Sequence, residues 1–285
     1  MQYSINIRRS LSTLRFFLPL TAVLLVFSAC EVDEEQQLEQ RNYSLVWSDD
    51  FDGAAGESPD PNNWNFDIGT GDNGWGNQEL QFYTDRTENV SMDGQGNLVI
   101  TARRETFGGM PFTSGRITTK DKFEQQYGRF EARMKTPYGP GIWPAFWLLG
   151  ANIDTSPWPQ CGEIDVMELR GQEPNKIAGS LHGPGYSAGD AVTSDFALPN
   201  ARFDDDFYIF AIEWGEDYID YFVNDRLYQR ITPEDADGEW VFDAPFYMLL
   251  NVAVGGTYVG FPTSQTPFPQ PMIIDYVRVY QQTNS

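Results

Sequence analysis

The sequence predicts an all-β domain of antiparallel strands, and three observations support that fold class. Short apolar runs with alternating polar residues recur between clusters of Gly, Pro, Asn and Asp, which is the pattern of strands joined by turns. The chain has no long amphipathic helix and no strand-helix-strand spacing, which argues against a parallel α/β fold. About 240 residues follow the N-terminal leader, enough for one sandwich core. The clearest strand runs are Leu98–Ala102, Gly128–Met134, Phe207–Trp214, Ile219–Val223 and Met272–Tyr280.

The N-terminal residues have the pattern of an export signal. Three arginines, the last of them Arg15, precede an apolar segment over residues 16–27, and twelve residues are too few to span a membrane. Ser28-Ala29-Cys30 follows and resembles the bacterial lipobox, in which the cysteine is lipidated and becomes the first mature residue. We therefore predict that Cys30 carries lipid.

This prediction divides the chain into three segments: a signal peptide over residues 1–29, an acidic tether over residues 30–43, and a folded domain over residues 44–283. The acidic stretch after Cys30 resembles a surface-export signal of some Gram-negative lipoproteins, although a solubilising spacer would look the same. The predicted location is the outer membrane or cell surface, with the membrane contacted only through the lipid. Cys161 is then the remaining thiol, so we expect no disulfide within the mature chain.

Three carboxylates interrupt an apolar run over residues 162–169, and plain β alternation cannot accommodate them. With a period of two, Glu163 and Asp165 share a face, whereas Glu168 would point into the core, where a lone carboxylate is costly. One extra residue at Val166-Met167 removes the conflict, because all three acids then face outward. The sequence therefore predicts a β-bulge in this strand.

Along such a bulged strand the α-carbons of Glu163 and Glu168 lie about 13 Å apart, and their side chains can lean together over Asp165. Carboxyl groups that approach to about 5 Å fit a glycosidase that retains configuration, in which one attacks the anomeric carbon and the other protonates the leaving oxygen. Three acids in a strand can equally form a cation site or a solvated edge. The acidic run alone leaves these alternatives open.

Aromatic residues favour a carbohydrate site. Alternation over the run 139–150 places Trp143, Ala145 and Trp147 on one face, with a small residue between two indoles. Aromatic residues make up 15% of the chain, and several stand beside glycine and amide residues, as they do around Asn77. Flat apolar plates with amide hydrogen-bonding groups suit a neutral sugar, although isolated tryptophans commonly fill a core.

Four motifs together resemble glycoside hydrolase family 16, specifically its bulge-type laminarinase branch. They are the run 158–168, the Trp-Pro-Ala-Phe-Trp segment 143–147, the run 181–186 and the run 251–256, and the match covers roughly residues 44 to 282. The lichenase branch has one residue fewer in the acidic motif, so the spacing argues against it. The resemblance implies a jelly-roll β-sandwich of two antiparallel sheets, whose concave face holds an open glucan cleft.

The resemblance also implies roles for individual residues. Glu163 would be the nucleophile, Glu168 the acid/base, and Asp165 would stand between them. The chain has a single histidine, His182, which rules out a multi-histidine zinc site and which the resemblance places at the cleft. No cofactor is predicted for catalysis. The predicted substrate-binding residues are Asn77, Arg116, Trp143, Trp147, Trp158 and His182.

The formal charge of −22 limits which class of polymer the protein can bind. This negative charge repels nucleic acid and works against strongly anionic polymers, so we expect the partner to be a neutral β-glucan, although a local basic patch around Arg116 could receive an anion. The protein is also expected to be a monomer. The predicted activity is hydrolysis of laminarin-type β-1,3-glucan. An agarase or other galactanase of the same family is one alternative. A non-catalytic glucan-binding lipoprotein is another, although such relatives lose one or both glutamates, and both are present here.

A structural calcium ion is a further prediction. Simple alternation places Asp275 in line with Ile273, Val277 and Val279, on an apolar face where a carboxylate needs a partner. The resemblance implies calcium held by Asp275, by Asp50 and by a backbone carbonyl near Gly96, through the oxygen ligands that calcium prefers. The alternative is a salt bridge from Asp275 to a nearby arginine.

Overall fold

The computed structural model describes residues 41–283, so the predictions for the signal peptide, for lipidation of Cys30 and for the tether up to residue 40 lie outside the described residues. Short helical turns cover Gly74–Gln78, Ala188–Asp190 and Pro233–Asp235. Within the described range, no helix has the length and apolar character needed to cross a membrane. The strands are β1 (Tyr43–Asp49), β2 (Asn65–Phe66), β3 (Gln81–Tyr83), β4 (Val90–Met92), β5 (Leu98–Phe107), β6 (Met110–Ser114), β7 (Arg116–Thr118), β8 (Gly128–Lys135), β9 (Ile142–Gly150), β10 (Glu163–Leu169), β11 (Lys176–His182), β12 (Val192–Ala197), β13 (Tyr208–Trp214), β14 (Ile219–Val223), β15 (Arg226–Ile231), β16 (Phe246–Val254) and β17 (Gln270–Gln282).

The strands form two sheets. The larger sheet has the order β15-β14-β13-β8-β17-β5-β6-β3, with β1 also paired to β17 and β4 to β5. The smaller sheet has the order β12-β11-β10-β9-β16-β7-β2. All pairs are antiparallel except β3 with β6. The predicted all-β fold is confirmed, and every strand run named above lies within or overlaps one of these strands.

The hydrophobic core lies between the two sheets. Phe130 and Phe210 project from the larger sheet, and Phe146, Ile164 and Leu250 project from the smaller one; all five are fully buried. Burial of each such side chain stabilises the fold by about 1.5–3 kcal/mol. Because side chains alternate along a strand, the remaining positions of the smaller sheet face away from this core and form a second, concave surface.

The folded domain begins slightly before the predicted boundary at residue 44. Arg41 donates from Nη1 to Glu213 at 2.7 Å and to Asp220 at 2.9 Å. Asp220 is fully buried and also accepts a hydrogen bond from Arg230 Nε at 2.6 Å. A buried carboxylate needs such partners, so Arg41 is part of the domain rather than of the tether.

The expectation that Asp275 lies on the apolar face of β17 is wrong. The pairing of β17 with β8 shifts between Ile274 and Tyr276, so Asp275 is an extra, bulged residue. Ile274 before the bulge and Val277 after it both point into the core. Asp275 is part-exposed and forms an ion pair with Arg133. The structure therefore shows the salt bridge to an arginine that the sequence analysis gave as the alternative partner of Asp275.

Strand pairing nevertheless brings together the segments that carry the predicted calcium ligands, because β1 and β5 both pair with β17. Asp50 directly follows Asp49, which pairs with Val277, and Gly96 lies in the turn before β5. The carboxyl of Asp50 is paired with Arg278 at 2.7 Å. Each of the two predicted carboxylate ligands is therefore paired with an arginine in this structure.

Candidate active site

The β-bulge predicted in the acidic strand is present in β10. On one side the pairing with β11 shifts between Asp165 and Glu168, and on the other side the pairing with β9 shifts between Asp165 and Met167. Val166 and Met167 are both buried. Glu163 pairs with residue 182 and Glu168 with residue 178 of β11, which are four residues apart, or about 13 Å along the strand. The three acids therefore share the concave face.

Strand register also shows what flanks the acids on this face. One row across the sheet runs through Trp147, Asp165, Ser180 and Thr193, and its last two side chains are hydrogen-bonded at 3.0 Å. A parallel row passes from Ala145 through Glu168 to positions 178 and 195. Beside the acids, the concave face therefore has a tryptophan-rich half on β9 and a half of small and polar residues on β11 and β12.

Both tryptophans of β9 are partly exposed on the concave face rather than filling the main core. The indole nitrogen of Trp143 donates to Glu168 Oε1 at 2.9 Å, and that of Trp147 donates to Asn251 Oδ1 at 2.8 Å. These bonds fix the ring orientations, because a part-buried indole N–H needs an acceptor. Trp143 is thus tied directly to a carboxyl of the acidic group.

His182 lies beside the other two acids. Its Nε2 is 3.8 Å from Glu163 Oε1 and 3.0 Å from Asp165 Oδ2, although Asp165 Oδ2 has no aligned hydrogen bond among the described residues. The exposed indole of Trp158 packs near the imidazole, with ring centroids 6.1 Å apart. The acidic strand, the histidine and two walls of aromatic residues thus surround one open site.

Burial makes all three carboxyl groups hard to ionise. It raises the pKa of Glu163 to about 8, and the neighbouring charge of Asp165 adds to this effect. Burial likewise raises the pKa of Asp165 to about 8. The pKa of Glu168 is also raised to about 8, by burial and then by the charge of Asp165, while the Trp143 hydrogen bond opposes the rise. Close carboxyls cannot all ionise together, so the group retains a proton near neutral pH.

Comparison with known families agrees with this geometry, because the model of glycosyl hydrolases family 16 matches residues 75–278. The chain belongs to this family. It is 42% identical to a beta-glucanase of Rhodothermus marinus over 84% of this chain and 86% of that protein. The predicted jelly-roll sandwich is likewise confirmed by solved structures of the family.

Two of those structures show the extent of the likeness. The laminarinase catalytic domain of Thermotoga maritima superposes with a TM-score of 0.80 at 46% identity, over 85% of this chain and all of that one. The endo-beta-1,3-glucanase of Pyrococcus furiosus superposes with a TM-score of 0.81 at 42% identity, over 86% of this chain and 97% of that one. The whole described domain is therefore of family 16 type.

The two remaining predicted substrate-binding residues of this family 16 domain also lie at the cleft. The guanidinium of Arg116 stands 4.9 Å from the ring centroid of Trp147 and 4.4 Å from that of Trp75, and its Nε contacts Asp67 at 2.8 Å. Because this cation is paired and stacked, it does not form the open basic patch considered from the sequence. It fits a side chain that orients a neutral ligand.

Asn77 lies in a turn that docks against the tryptophan-rich half. Its carbonyl accepts a bond from the amide of Thr257 at 2.9 Å, and a Cβ at Gly256 would lie 3.1 Å from that carbonyl and 3.5 Å from the Trp143 ring. Gly256 also has a φ of +120°, so only glycine suits this position. The turn is strained as well, because Trp75 adopts a φ of +54°.

Five further residues at this family 16 site were not identified by sequence reasoning. Glu79 is buried beside Gln81, which donates to it at 2.6 Å, while Asn251 donates to Tyr83 at 3.2 Å. These groups form a polar layer behind Trp147. Tyr258 packs on Trp143 with ring centroids 5.0 Å apart. Glu79 and Asn251 stand in runs that already appeared functional, so those runs were the available signal, whereas nothing local to Tyr258 indicates its position.

Proposed function

We propose that this enzyme is a retaining endo-glycosidase that hydrolyses laminarin-type β-1,3-glucan. The observation that carries the proposal is the bulged strand β10, which presents Glu163, Asp165 and Glu168 on one face beside Trp143 and Trp147. The similarity to a laminarinase and to an endo-beta-1,3-glucanase at 42–46% identity supports the choice of polymer. The single-chain domain with one open cleft is proposed to act as a monomer.

In the first step, a carboxylate oxygen of Glu163 attacks the anomeric carbon and the bond to the leaving oxygen breaks. Glu168 transfers its proton to that oxygen, so the departing chain leaves as an alcohol and Glu168 becomes a carboxylate. Trp143 donates to Oε1 of Glu168, which leaves Oε2 for the proton. The negative charge of Glu163 and Asp165 keeps that proton on Glu168 until the sugar is in place.

In the second step the same residue acts as a base. Once Glu163 is esterified its charge is gone, so the pKa of Glu168 falls and its carboxylate can take a proton from water. The resulting hydroxide attacks the anomeric carbon, the bond to Glu163 breaks, and configuration is retained after two inversions. Asp165 stands between the two glutamates, and when it is ionised its charge raises the pKa of Glu168.

Binding in this proposal relies on apolar plates and neutral hydrogen-bonding groups. Trp143 and Trp147 offer part-exposed ring faces, and Asn77 and Arg116 border the same half of the cleft. Trp158 and His182 stand at the opposite wall. Since Arg116 is already paired with an acid, the cleft favours a neutral glucan over a sulfated galactan, which is consistent with the overall negative charge.

The test is sugar release from laminarin, lichenan, agarose, carrageenan and xyloglucan by the wild type and by Glu163→Gln and Glu168→Gln variants. We expect laminarin to be the best substrate and both variants to lose activity. Agarose or carrageenan as the best substrate would instead make the enzyme a galactanase, and laminarin binding without hydrolysis would make it a binding protein. Proton NMR during hydrolysis should show the β-anomer first; initial release of the α-anomer would contradict retention.

Two further proposals concern regions away from the cleft. A lipid on Cys30 is proposed to anchor the enzyme at the outer membrane or cell surface, supported by the lipobox-like sequence. A structural calcium ion is proposed at Asp50, Gly96 and Asp275, supported by the pairing of β1 and β5 with β17, which makes the segments that carry these residues neighbours. Calcium would have to displace the arginines now paired with both carboxylates, and these arginine side chains are about one-third exposed. Neither group takes part in the chemistry.

A further inference from the structure

His182 is contacted at both ring nitrogens, and the two contacts differ in kind. The backbone amide of Ala188 donates to Nδ1 at 3.0 Å. An N–H donor requires a lone pair on its acceptor, so Nδ1 carries no hydrogen in this arrangement. In neutral imidazole the hydrogen must then be on Nε2. Turning the ring over would place carbon atoms at both contact positions, so the contacts also fix the ring orientation.

The Nε2 hydrogen faces the acidic group. The nitrogen is within 4 Å of carboxyl oxygens of both Glu163 and Asp165, and the third ring neighbour is the uncharged indole of Trp158. Among the contacts of the imidazole in the described part of the chain, both carboxyls come from β10, and the turn after β11 contributes a neutral backbone amide. His182 is placed to donate one hydrogen toward the carboxyls while its second nitrogen is occupied.

The amide of Ala188 is held in place by the turn that carries it. Gly183 and Tyr186 exchange two backbone hydrogen bonds of 3.0 and 3.1 Å, and the buried Tyr186 side chain donates to the carbonyl of Glu239 at 2.8 Å. Ala188 itself adopts a left-handed φ of +52°, a conformation that is strained for an alanine. Strain of this kind is retained where the surrounding structure requires it, often at functional sites.

We propose that the turn over residues 183–190 holds His182 in its neutral Nε2–H tautomer, and that Ala188 is a positioning residue acting through its backbone amide. Protonation of Nδ1 would set two N–H groups against each other and break the Ala188 bond. The acidic group therefore receives a neutral donor rather than an imidazolium, so its negative charge is not cancelled. This inference rests on the proposed function, because that charge is what keeps the transferable proton on Glu168.

The Nε2–H tautomer also disfavours the cation site that the sequence analysis gave as an alternative for the acidic run. Glu163, Asp165 and His182 offer ligand atoms within 4.8 Å of one another. A metal at this point needs a lone pair on Nε2, and the Ala188 bond leaves the hydrogen there. The turn therefore favours a hydrogen-bonding role for His182.

NMR of the unmodified enzyme tests the tautomer directly. Because His182 is the single histidine of the chain, ¹⁵N-histidine labelling gives one pair of ring nitrogen signals without assignment. We expect one protonated nitrogen and one bare nitrogen, with the proton correlated to Nε2. Two protonated nitrogens, or a proton on Nδ1, would overturn the proposal. The measurement needs no substrate, so its failure is separate from a failure of the enzyme to cleave laminarin.

Two pairs of variants test the consequence. Ala188→Pro removes the amide hydrogen, and because proline fixes φ near −65° it also abolishes the left-handed backbone of Ala188, so the variant removes both the donor and the turn that positions it. Gly189→Ala is its control, because the added methyl group enters open space and the Ala188 amide and its turn remain. We expect the bare Nδ1 signal to be altered in the proline variant only. A proline variant that folds, by thermal melt, and keeps an unaltered signal would contradict the role of Ala188.

The second pair changes the charge at position 182. His182→Gln supplies a neutral N–H donor at the place of Nε2, whereas His182→Lys supplies a fixed cation. We expect the glutamine variant to retain activity within about tenfold of the wild type, and the lysine variant to lose at least about tenfold more, because a cation beside Glu163 releases the proton from Glu168. Equal losses would mean that His182 only fills space. This pair also decides the matter if Ala188→Pro does not fold.

Discussion

Replacing Trp143 with phenylalanine should shift the pH profile of the enzyme in a direction that the structure fixes. The change keeps a flat aromatic ring but removes the indole N–H that donates to Glu168 Oε1 at 2.9 Å. That hydrogen bond stabilises the ionised carboxylate, so its loss raises the pKa of Glu168 above the present value of about 8. The acid then stays protonated to higher pH, and the alkaline limb of kcat/KM moves up.

The size of the shift follows from the strength of the bond. A hydrogen bond to a charged group contributes roughly 1.5–3 kcal/mol, and the lower end applies because Glu168 is part-exposed. Since about 1.4 kcal/mol corresponds to one pH unit, we expect the alkaline limb to rise by about one unit. The three carboxyls titrate as a group, so the limb reports the group rather than Glu168 alone.

The assay is kcat/KM on laminarin across the pH range, with Trp147→Phe as the matched control. Trp147 donates to the amide of Asn251 rather than to a carboxyl, so its replacement should weaken binding without moving the alkaline limb. An unchanged or lowered limb in Trp143→Phe would refute the reasoning. So would an equal upward shift in both variants, because the effect would then not depend on Glu168.

Three other predictions concern the roles of the two glutamates, the lipid on Cys30 and the calcium ion. Glu168→Ala should lose most activity on laminarin but much less on the first step with an aryl glycoside, whose leaving group needs little protonation, whereas Glu163→Ala should fail on both; identical responses to the leaving group would reverse this assignment. Cys30→Ser should abolish labelling by radioactive lipid and move the protein out of the membrane fraction, and persistent labelling would place the lipid elsewhere. Calcium should raise the melting temperature relative to chelator by binding only the folded chain, and Asp275→Ala should remove that rise; identical melts with and without calcium would leave the arginine pairs as the partners of Asp275.

Two β-bulges show how far the sequence could predict this fold. The bulge in β10 was predictable because Glu163, Asp165 and Glu168 are charged, and an unbulged strand would have buried one of them. The bulge at Asp275 in β17 was missed by the same kind of reasoning. Two adjacent isoleucines precede Asp275, so the apolar pattern continues on both faces, and no residue conflicts visibly with simple alternation. A bulge is predictable from one sequence only when it rescues a group that is costly to bury.

The candidate site was predicted well where residues lie close together in the chain. The acids and both tryptophans stand in two short runs, and strand alternation is enough to place them on one face. Tyr258 and the amide of Ala188 could not be found in this way, because they reach the cleft through loops. The length of a loop limits how far its residues can reach, but it does not determine the backbone hydrogen bonds that set the loop conformation, such as those between Gly183 and Tyr186.

Strand β16 pairs with β9 in the floor of the cleft, and all nine of its residues are buried. On its outer face, its own Tyr247 and Leu249 form a second small apolar cluster with Leu149 and Cys161, against which Trp147 packs. Amide hydrogens enclosed on both faces exchange with solvent only through large-scale unfolding, so β16 should be among the slowest segments in hydrogen exchange. Local opening of the floor is therefore not available to admit a polymer. Adaptation to branches or bends in the substrate must come from the rims, the loops 151–162 and 255–269, where Trp158 and Phe261 are exposed.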